Sequence, residues 1–214
     1  RSVVTDSRSL SCELGCRPMF VAMRGANHDS HDFIAGMQSR GVRAFLVERG
    51  VEASSCTGEC GFVQVDNAIE ALQRLAAYHR AQFRGTVVGI TGSNGKTVIK
   101  EWIAEELPEG MKYYRSPKSY NSQLGVPLSV LMLEGDEELA IFEAGISKPG
   151  EMERLERIIR PDAVIFTSIG DAHQENFINL EQKCDEKMIL ARSASKIIYH
   201  SYYCLLYTSP SPRD

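Results

Sequence analysis

A short apolar run at residues 87–91 leads directly into Gly92-Ser93-Asn94-Gly95-Lys96-Thr97, and residues 97–107 then carry a helical pattern. A strand that turns through glycines into a helix start commits the chain to an α/β layer, with the loop at a strand's carboxyl end. Backbone N–H groups and the helix N-terminus attract anionic phosphate at such a place. Lys96 adds a point charge near the β- and γ-phosphates, and the Thr97 hydroxyl can ligate magnesium. The spacing is Gly92-x-x-Gly95-Lys96-Thr97 and not the longer G-x4-G-K-[ST], because Ile90 stands five residues before Gly95. The glycines could serve only a tight strand-to-helix turn, but a Lys-Thr pair at a helix start has no packing reason to be there.

From residue 86 onward strands and helices alternate. Strands are predicted over 139–143, 163–168 and 196–199, and helices over 97–107, over 151–159 up to Pro161, and over 180–192. Such alternation implies parallel strands joined by crossover helices, with ligands beyond the strands' carboxyl ends. Trp102 is read as a core residue of the first of these helices. Upstream, apolar runs at 18–23 and 43–47, a helical stretch at 32–40 and strand-like alternation at 61–65 describe a smaller α/β unit. His28 and His31 read as turn residues. Asn67 is a plausible N-cap for a helix through Phe83 whose apolar face is Ile69, Leu72, Leu75, Ala76 and Tyr78, and this helix is expected to link the two blocks. The expected fold class is α/β: a small α/β N-terminal domain over 1–84, followed by a truncated, mostly parallel P-loop ATPase domain over 85–203.

Of 214 residues, 43% are hydrophobic and 24% charged, the balance of a globular protein. With 24 basic against 28 acidic side chains the net charge is −4, which argues against a nucleic-acid partner. No run of about 18 apolar residues exists, so no membrane span is expected. Cys12 with Cys16 and Cys56 with Cys60 form two C-x3-C pairs that could make a four-thiolate zinc site, although free thiols in a reducing cytosol are the simpler reading. The chain lacks an initiator Met at Arg1. Its last residues, 204–214, back-translate to a transposase-type sequencing adapter read in frame, so the natural chain is expected to end near Tyr203.

Thr91-Gly92-Ser93-Asn94-Gly95-Lys96-Thr97 resembles the phosphate loop of the Mur ligase superfamily. The resemblance extends over nearly the whole chain. Asp6-Ser7-Arg8, Met19-Phe20-Val21-Ala22 with Arg24-Gly25, and His28-Asp29-Ser30-His31 with Phe33-Ile34 look like the uridine-diphosphate-binding domain. Asn121-Ser122-Gln123-Leu124-Gly125-Val126-Pro127-Leu128, Glu143-Ala144-Gly145, Gly150-Glu151-Met152 and Gly170-Asp171-Ala172-His173 look like the central domain. These motifs are most similar to the MurF type, which adds D-alanyl-D-alanine to UDP-N-acetylmuramoyl-tripeptide. Residues 116–123 resemble the bifunctional form with a downstream alanine racemase domain. Ser30 departs from the family's common Gly, and a Cβ at that turn could disturb the loop.

The resemblance implies a cytoplasmic, ATP-dependent ligase of peptidoglycan precursor synthesis, and hence of cell-wall growth, shape and division, with ATP and Mg2+ as cofactors. ATP would convert a carboxylate to an acyl phosphate, which the incoming amine displaces. Gly92, Ser93, Asn94, Gly95, Lys96 and Thr97 would hold the phosphates. Thr97 and Glu143 would hold magnesium, and His173 a second magnesium, although histidine is an unusual ligand for that ion. Lys187 falls where the family has a lysine that can be carbamylated into an oxygen ligand. The alternatives are an exposed strand-end acid for Glu143, a turn-capping histidine for His173, and for Lys187 a solvated helix face shared with Glu181, Lys183, Asp185 and Glu186. Asn121 and Ser122 are candidates for the muramoyl peptide. Asp6, Ser7 and Arg8 would lie near the uridine nucleotide, unless Arg8 pairs with an acid of its own domain. The family's C-terminal domain is absent, so the fragment alone is expected to be inactive. Other readings are a Mur-type tripeptide synthetase, a folylpolyglutamate-synthase-like ligase that the uridine-type domain disfavours, and a non-catalytic nucleotide-binding module.

Overall fold

Short apolar runs joined by helical crossovers favour parallel pairing, and every strand pair among the described residues is parallel. The computed structural model describes residues 3–8, 17–25, 28–50, 59–170 and 174–200. Cys12, Cys16, Cys56, His173 and the tail expected over 204–214 lie outside the described residues. The chain divides into two units, Arg1–Leu72 and Gln73–Asp214.

The first unit is a four-stranded sheet in the order β1-β2-β3-β4, made of β1 (Val3–Val4), β2 (Met19–Val21), β3 (Ala44–Glu48) and β4 (Gly61–Val65). Helix α1 (Ile34–Ser39) lies between β2 and β3 in sequence and follows a 3-10 turn, Ser30–Phe33, so the helical stretch expected over 32–40 is split in two. Phe20, Ile34, Met37, Val42, Phe45 and Val47 form the core, with the Phe45 ring stacked on Phe62 at 5.1 Å. Each such side chain contributes about 1.5–3 kcal/mol by leaving water.

Two residues of the His28-to-Ile34 segment tie this core's loops together. The Ser30 hydroxyl accepts from the Met23 N–H at 2.7 Å and donates to the Met23 carbonyl at 2.8 Å. Its side chain closes the loop, so the departure from glycine adds a cross-link there. His31 is buried between Asp29, 2.5 Å from Nδ1, and the Glu48 N–H, which donates to Nε2 at 3.0 Å. A backbone donor on Nε2 fixes the proton on Nδ1, and the ring is a structural tie.

Helix α2 (Ala68–Arg80) starts where Asn67 predicts, with Asn67 Oδ1 accepting from the Glu70 N–H at 3.0 Å. It ends three residues before the predicted Phe83, and its buried side is Ala68, Leu72, Ala76 and Arg80. Ile69, Leu75 and Tyr78, expected on that face, are exposed. The difference comes from Arg80, which a hydrophobicity pattern assigns to solvent. It donates to the carbonyls of Ile159 at 2.9 Å and Arg160 at 3.0 Å, satisfying a helix end.

The second unit holds β5 (Thr86–Thr91), α3 (Lys96–Glu105), β6 (Tyr113–Arg115), α4 (Gly125–Val130), β7 (Leu139–Ala144), α5 (Glu151–Ile159), β8 (Ala163–Phe166), α6 (Leu180–Met188) and β9 (Lys196–Tyr199). Its sheet order is β6-β7-β5-β8-β9. Strand β5 therefore has β7 on one side and β8 on the other, and the crossovers diverge there. That divergence is where doubly wound sheets open a crevice at their carboxyl ends. β6 was not predicted, because a three-residue edge strand with one half-buried residue carries no usable alternation.

Period-two alternation sorts β7 between two cores. Ala140, Phe142 and Ala144 face one side with Met152, Leu155, Ile158 and Ile159 of α5. Leu139 and Ile141 face the other with Ile90 and with Ile99 and Ile103 of α3. Helix α3 thus packs through its 99/103 side, and Trp102, expected in the core, is 63% exposed. The helix predicted over 180–192 breaks at Met188 into a 3-10 turn, Ile189–Ala191.

Candidate active site

Glu143 shares parity with Leu139 and Ile141 on β7, so the same alternation carries it to the α3 side, at the carboxyl end of the sheet. It is fully buried, which excludes the exposed strand-end acid. Thr97 Oγ1 donates to Glu143 Oε2 at 3.0 Å, and Asn121 Nδ2 lies 3.4 Å from the same oxygen. The other oxygen, Oε1, is 2.9 Å from the Lys100 ammonium, a close ion pair whose direction makes no hydrogen bond. Removing one partner of such a buried pair costs about 3–5 kcal/mol.

The phosphate loop is built against the end of β8. Gly92 has φ 145° and Gly95 φ 81°, both in the region that disfavours side chains. A Cβ at Gly92 would also come within 2.0 Å of Thr167 Oγ1. The Ser93 N–H donates to the Ser168 carbonyl at 2.6 Å, the Asn94 N–H to Ser168 Oγ at 3.2 Å, and Thr167 Oγ1 to the Asn94 carbonyl at 2.5 Å. Ser93 Oγ donates to the Gly170 carbonyl at 3.0 Å and accepts from the Gly170 N–H at 2.9 Å. The strand predicted to reach Ser168 stops at Phe166, and Thr167 and Ser168 hold the loop instead.

Lys96 opens α3 and folds its ammonium back on the loop, donating to the Gly92 carbonyl at 2.9 Å and the Ser93 carbonyl at 3.3 Å. Burial lowers its pKa, and the Glu143 carboxylate partly opposes that shift. Lys187 reaches the same Gly92 carbonyl from α6, at 3.1 Å. Its side chain is buried, and so is that of Lys183, so these two are not on a solvated helix face; Glu181 and Asp185 are exposed. Burial first, and then the like charges of Lys96 and Lys183, push the Lys187 amine down to about 7.

The loop before α4 supplies Asn121 and Ser122. The Asn121 carbonyl accepts from the Gly145 N–H at 2.7 Å, and Ser122 Oγ accepts from the Gly125 N–H at 3.1 Å. Gln123 anchors the loop from below: Gln73 donates to its carbonyl at 3.0 Å, and its own amide donates to the Glu151 carbonyl at 3.0 Å. Gly92, Ser93, Lys96, Asn121, Ser122, Gly145, Ile146, Ser147 and Lys187 line one cavity of about 130 Å³. Residues from four separate motifs therefore meet at one place.

The donor set suits magnesium. Glu143 presents its Oε2 to the Thr97 hydroxyl, which puts two hard oxygen ligands side by side. Among the described residues no group of three His, Cys, Asp or Glu side chains converges to form a closed metal cage, and magnesium bound partly by phosphates needs none. In the first unit Asp6 and Arg8 hold each other, with Arg8 Nε 3.0 Å from Asp6 Oδ1, and this bonding lowers the Asp6 carboxyl to about 2. The Ser7 carbonyl accepts from Arg40.

Sequence reasoning missed Lys100, Ser147, Thr167 and Ser168. Lys100 stands four residues after Lys96 and four before the buried Ala104, on one helix face, but nothing local distinguishes it from a surface lysine.

Residues 90–201 match the Mur ligase middle domain. The chain is 32% identical over 186 residues to UDP-N-acetylmuramoyl-tripeptide--D-alanyl-D-alanine ligase of Bacillus subtilis, covering 87% of this chain and 39% of that protein. It is likewise 32% identical over 179 residues to the Escherichia coli ligase of that name, covering 84% and 38%. Among solved structures, MurF ligase of Thermotoga maritima in complex with ADP superimposes with a TM-score of 0.84 at 29% identity, covering 100% of this chain and 48% of that one. MurF of Acinetobacter baumannii gives 0.82 at 28% identity, covering 96% and 45%. The chain thus spans about two fifths of the length of the curated relatives it matches. A short phosphate loop, a buried strand-end carboxylate bonded to its threonine, and matches of this extent have one source: the chain belongs to the Mur ligase family, among relatives of the MurF type.

Proposed function

We propose that this chain is the nucleotide-binding part of a cytoplasmic, ATP-dependent ligase that joins D-alanyl-D-alanine to UDP-N-acetylmuramoyl-tripeptide, the two substrates that the names of its relatives carry. The observation that carries the reading is the convergence of Lys96, Asn121, Ser122 and Lys187 on one cavity at the sheet's carboxyl end, with the bonded Thr97–Glu143 pair adjoining it through Asn121. The ADP complex of the Thermotoga maritima relative supports ATP as the nucleotide.

In this reading a terminal carboxylate oxygen of the tripeptide attacks the γ-phosphorus, and ADP leaves with the bond electrons. The dipeptide amine then attacks the acyl carbon, loses a proton, and inorganic phosphate departs. Magnesium, when bound, supplies neutralisation of the phosphate charge. Glu143 and Thr97 would hold it. Lys96 carries its charge to the γ-phosphate, and the amides of the first turn of α3 point at the same group. Asn121 and Ser122 orient the muramoyl peptide, and Asp6 and Ser7 face the uridine nucleotide, with Arg8 held against Asp6. The lowered pKa of Lys187 raises the share of neutral amine, the form that carbon dioxide converts to a carbamate, and His173 would complete a second magnesium site. The likeness of residues 116–123 to the bifunctional form supports a racemase domain encoded beyond this sequence.

The test is isotopic and uses the full-length protein. Tripeptide substrate labelled with 18O in its terminal carboxylate should deliver one labelled oxygen to inorganic phosphate, in a reaction that requires D-alanyl-D-alanine. Unlabelled phosphate, or release independent of the dipeptide, would refute the reading.

A further inference from the structure

Lys100 is fully buried on the side of α3 that meets β7, and it does not line the cavity. Its ammonium lies 2.9 Å from Glu143 Oε1 and 3.4 Å from Glu101 Oε1. It also donates to the carbonyls of Ser116 at 2.6 Å and Lys118 at 2.5 Å. An ammonium has three donors, and here four oxygens surround it. A buried cation is retained at a cost that an apolar side chain would avoid, so its oxygens say what it does.

Three of those oxygens belong to two parts that meet again at the site. One is the carboxylate of Glu143. The other is the loop at residues 116–121, where Lys118 takes the left-handed conformation with φ 49° while its carbonyl accepts from Lys100. Three residues on, Asn121 places its amide 3.4 Å from Glu143 Oε2. A single ammonium thus fixes the carboxylate by one oxygen and fixes the loop that approaches its other oxygen. Without Lys100, Lys96, whose charge already interacts with the carboxylate, is left to draw it. Glu143 would then turn from Thr97 toward the phosphate-binding lysine.

We propose that Lys100 is a positioning residue of the nucleotide–magnesium site, holding Glu143 Oε2 toward Thr97 and anchoring residues 116–121 so that Asn121 reaches the same carboxylate. The proposal rests on reading Glu143 and Thr97 as the magnesium ligands.

ADP binding to the full chain, measured by calorimetry with and without Mg2+, tests it in the wild type and in Lys100→Met, Lys100→Gln, Glu143→Gln and the double variant Lys100→Met/Glu143→Gln. Both Lys100 variants should lose at least about ten-fold of the magnesium-dependent tightening, with metal-free affinity changed less than about three-fold. The double variant, which leaves no unpaired buried charge, should match Glu143→Gln alone. Wild-type magnesium tightening in the Lys100 variants would overturn the proposal, as would a double variant that binds Mg-ADP more weakly than Glu143→Gln. If the wild type itself shows no magnesium tightening, the ligand reading of Glu143 and Thr97 fails and this proposal falls with it; a normal wild type with normal Lys100 variants sinks the proposal alone.

Discussion

The Thr97 hydroxyl and the Glu143 carboxylate, 46 residues apart in sequence, are joined by a 3.0 Å hydrogen bond at the carboxyl end of the sheet. Two local rules produce it. The glycine turn starts α3 at Lys96, and the parity of β7 sends Glu143 toward α3. Any change that alters either rule separates the phosphate loop from its carboxylate.

Lys96→Met separates binding from stability. The lysine is partly buried with a lowered pKa, so its removal should leave the thermal midpoint about unchanged or slightly raised. ADP binding should weaken by about 2–5 kcal/mol, the cost of truncating a desolvated charge contact. Calorimetry and a thermal melt on the same samples check both directions.

Gly92→Ala should destabilise the second unit by about 1–3 kcal/mol or more, because the added Cβ meets both the 145° φ and Thr167 Oγ1. Gly135→Ala is a useful control. It has φ 97° with nothing within 4 Å of its Cβ, so it carries the backbone strain without the collision. Urea midpoints of the two variants measure the difference.

The pH dependence of stability should carry the signature of Lys187. Its folded pKa of about 7 lies below the ordinary 10.5, so between those values the unfolded chain holds more protons. Stability therefore rises with pH through that window, and this contribution is lost as pH falls through about 7. Lys187→Met should flatten the rise in urea midpoint between pH 7 and pH 10 relative to wild type. An unchanged slope would show that the amine is not held neutral by burial.

Ser30→Gly should cost about 1–2 kcal/mol, since two hydrogen bonds to Met23 are lost and backbone freedom is gained. Ser30→Ala should lose the bonds without the added freedom. A stabilised Ser30→Gly would mean that the hydroxyl bridge contributes nothing.

The sequence made the phosphate loop and its two flanking elements legible because glycines, an apolar run and Lys-Thr are all local signals. The strands at 61–65 and 196–199 and the helix at 151–159 were legible for the same reason. What could not be read depended on distant partners. Lys100 looks like a surface lysine until Glu143, 43 residues on, is placed beside it. Arg80 looks solvent-facing until the carbonyls of Ile159 and Arg160 reach it. Trp102 looks like core until α3 is seen to pack through Ile99 and Ile103. Ser30 looked like a liability at a turn, and only its two bonds to Met23 show why a side chain suits the position.

The central claim is ligation, and mass spectrometry of the product tests it most directly. The full-length protein carrying this sequence, given ATP, Mg2+, UDP-N-acetylmuramoyl-tripeptide and D-alanyl-D-alanine, should yield the UDP-linked pentapeptide with one ADP formed per product. Glu143→Gln should abolish that yield. Pentapeptide formation undiminished in Glu143→Gln, or ATP consumption by the wild type without pentapeptide, would contradict it.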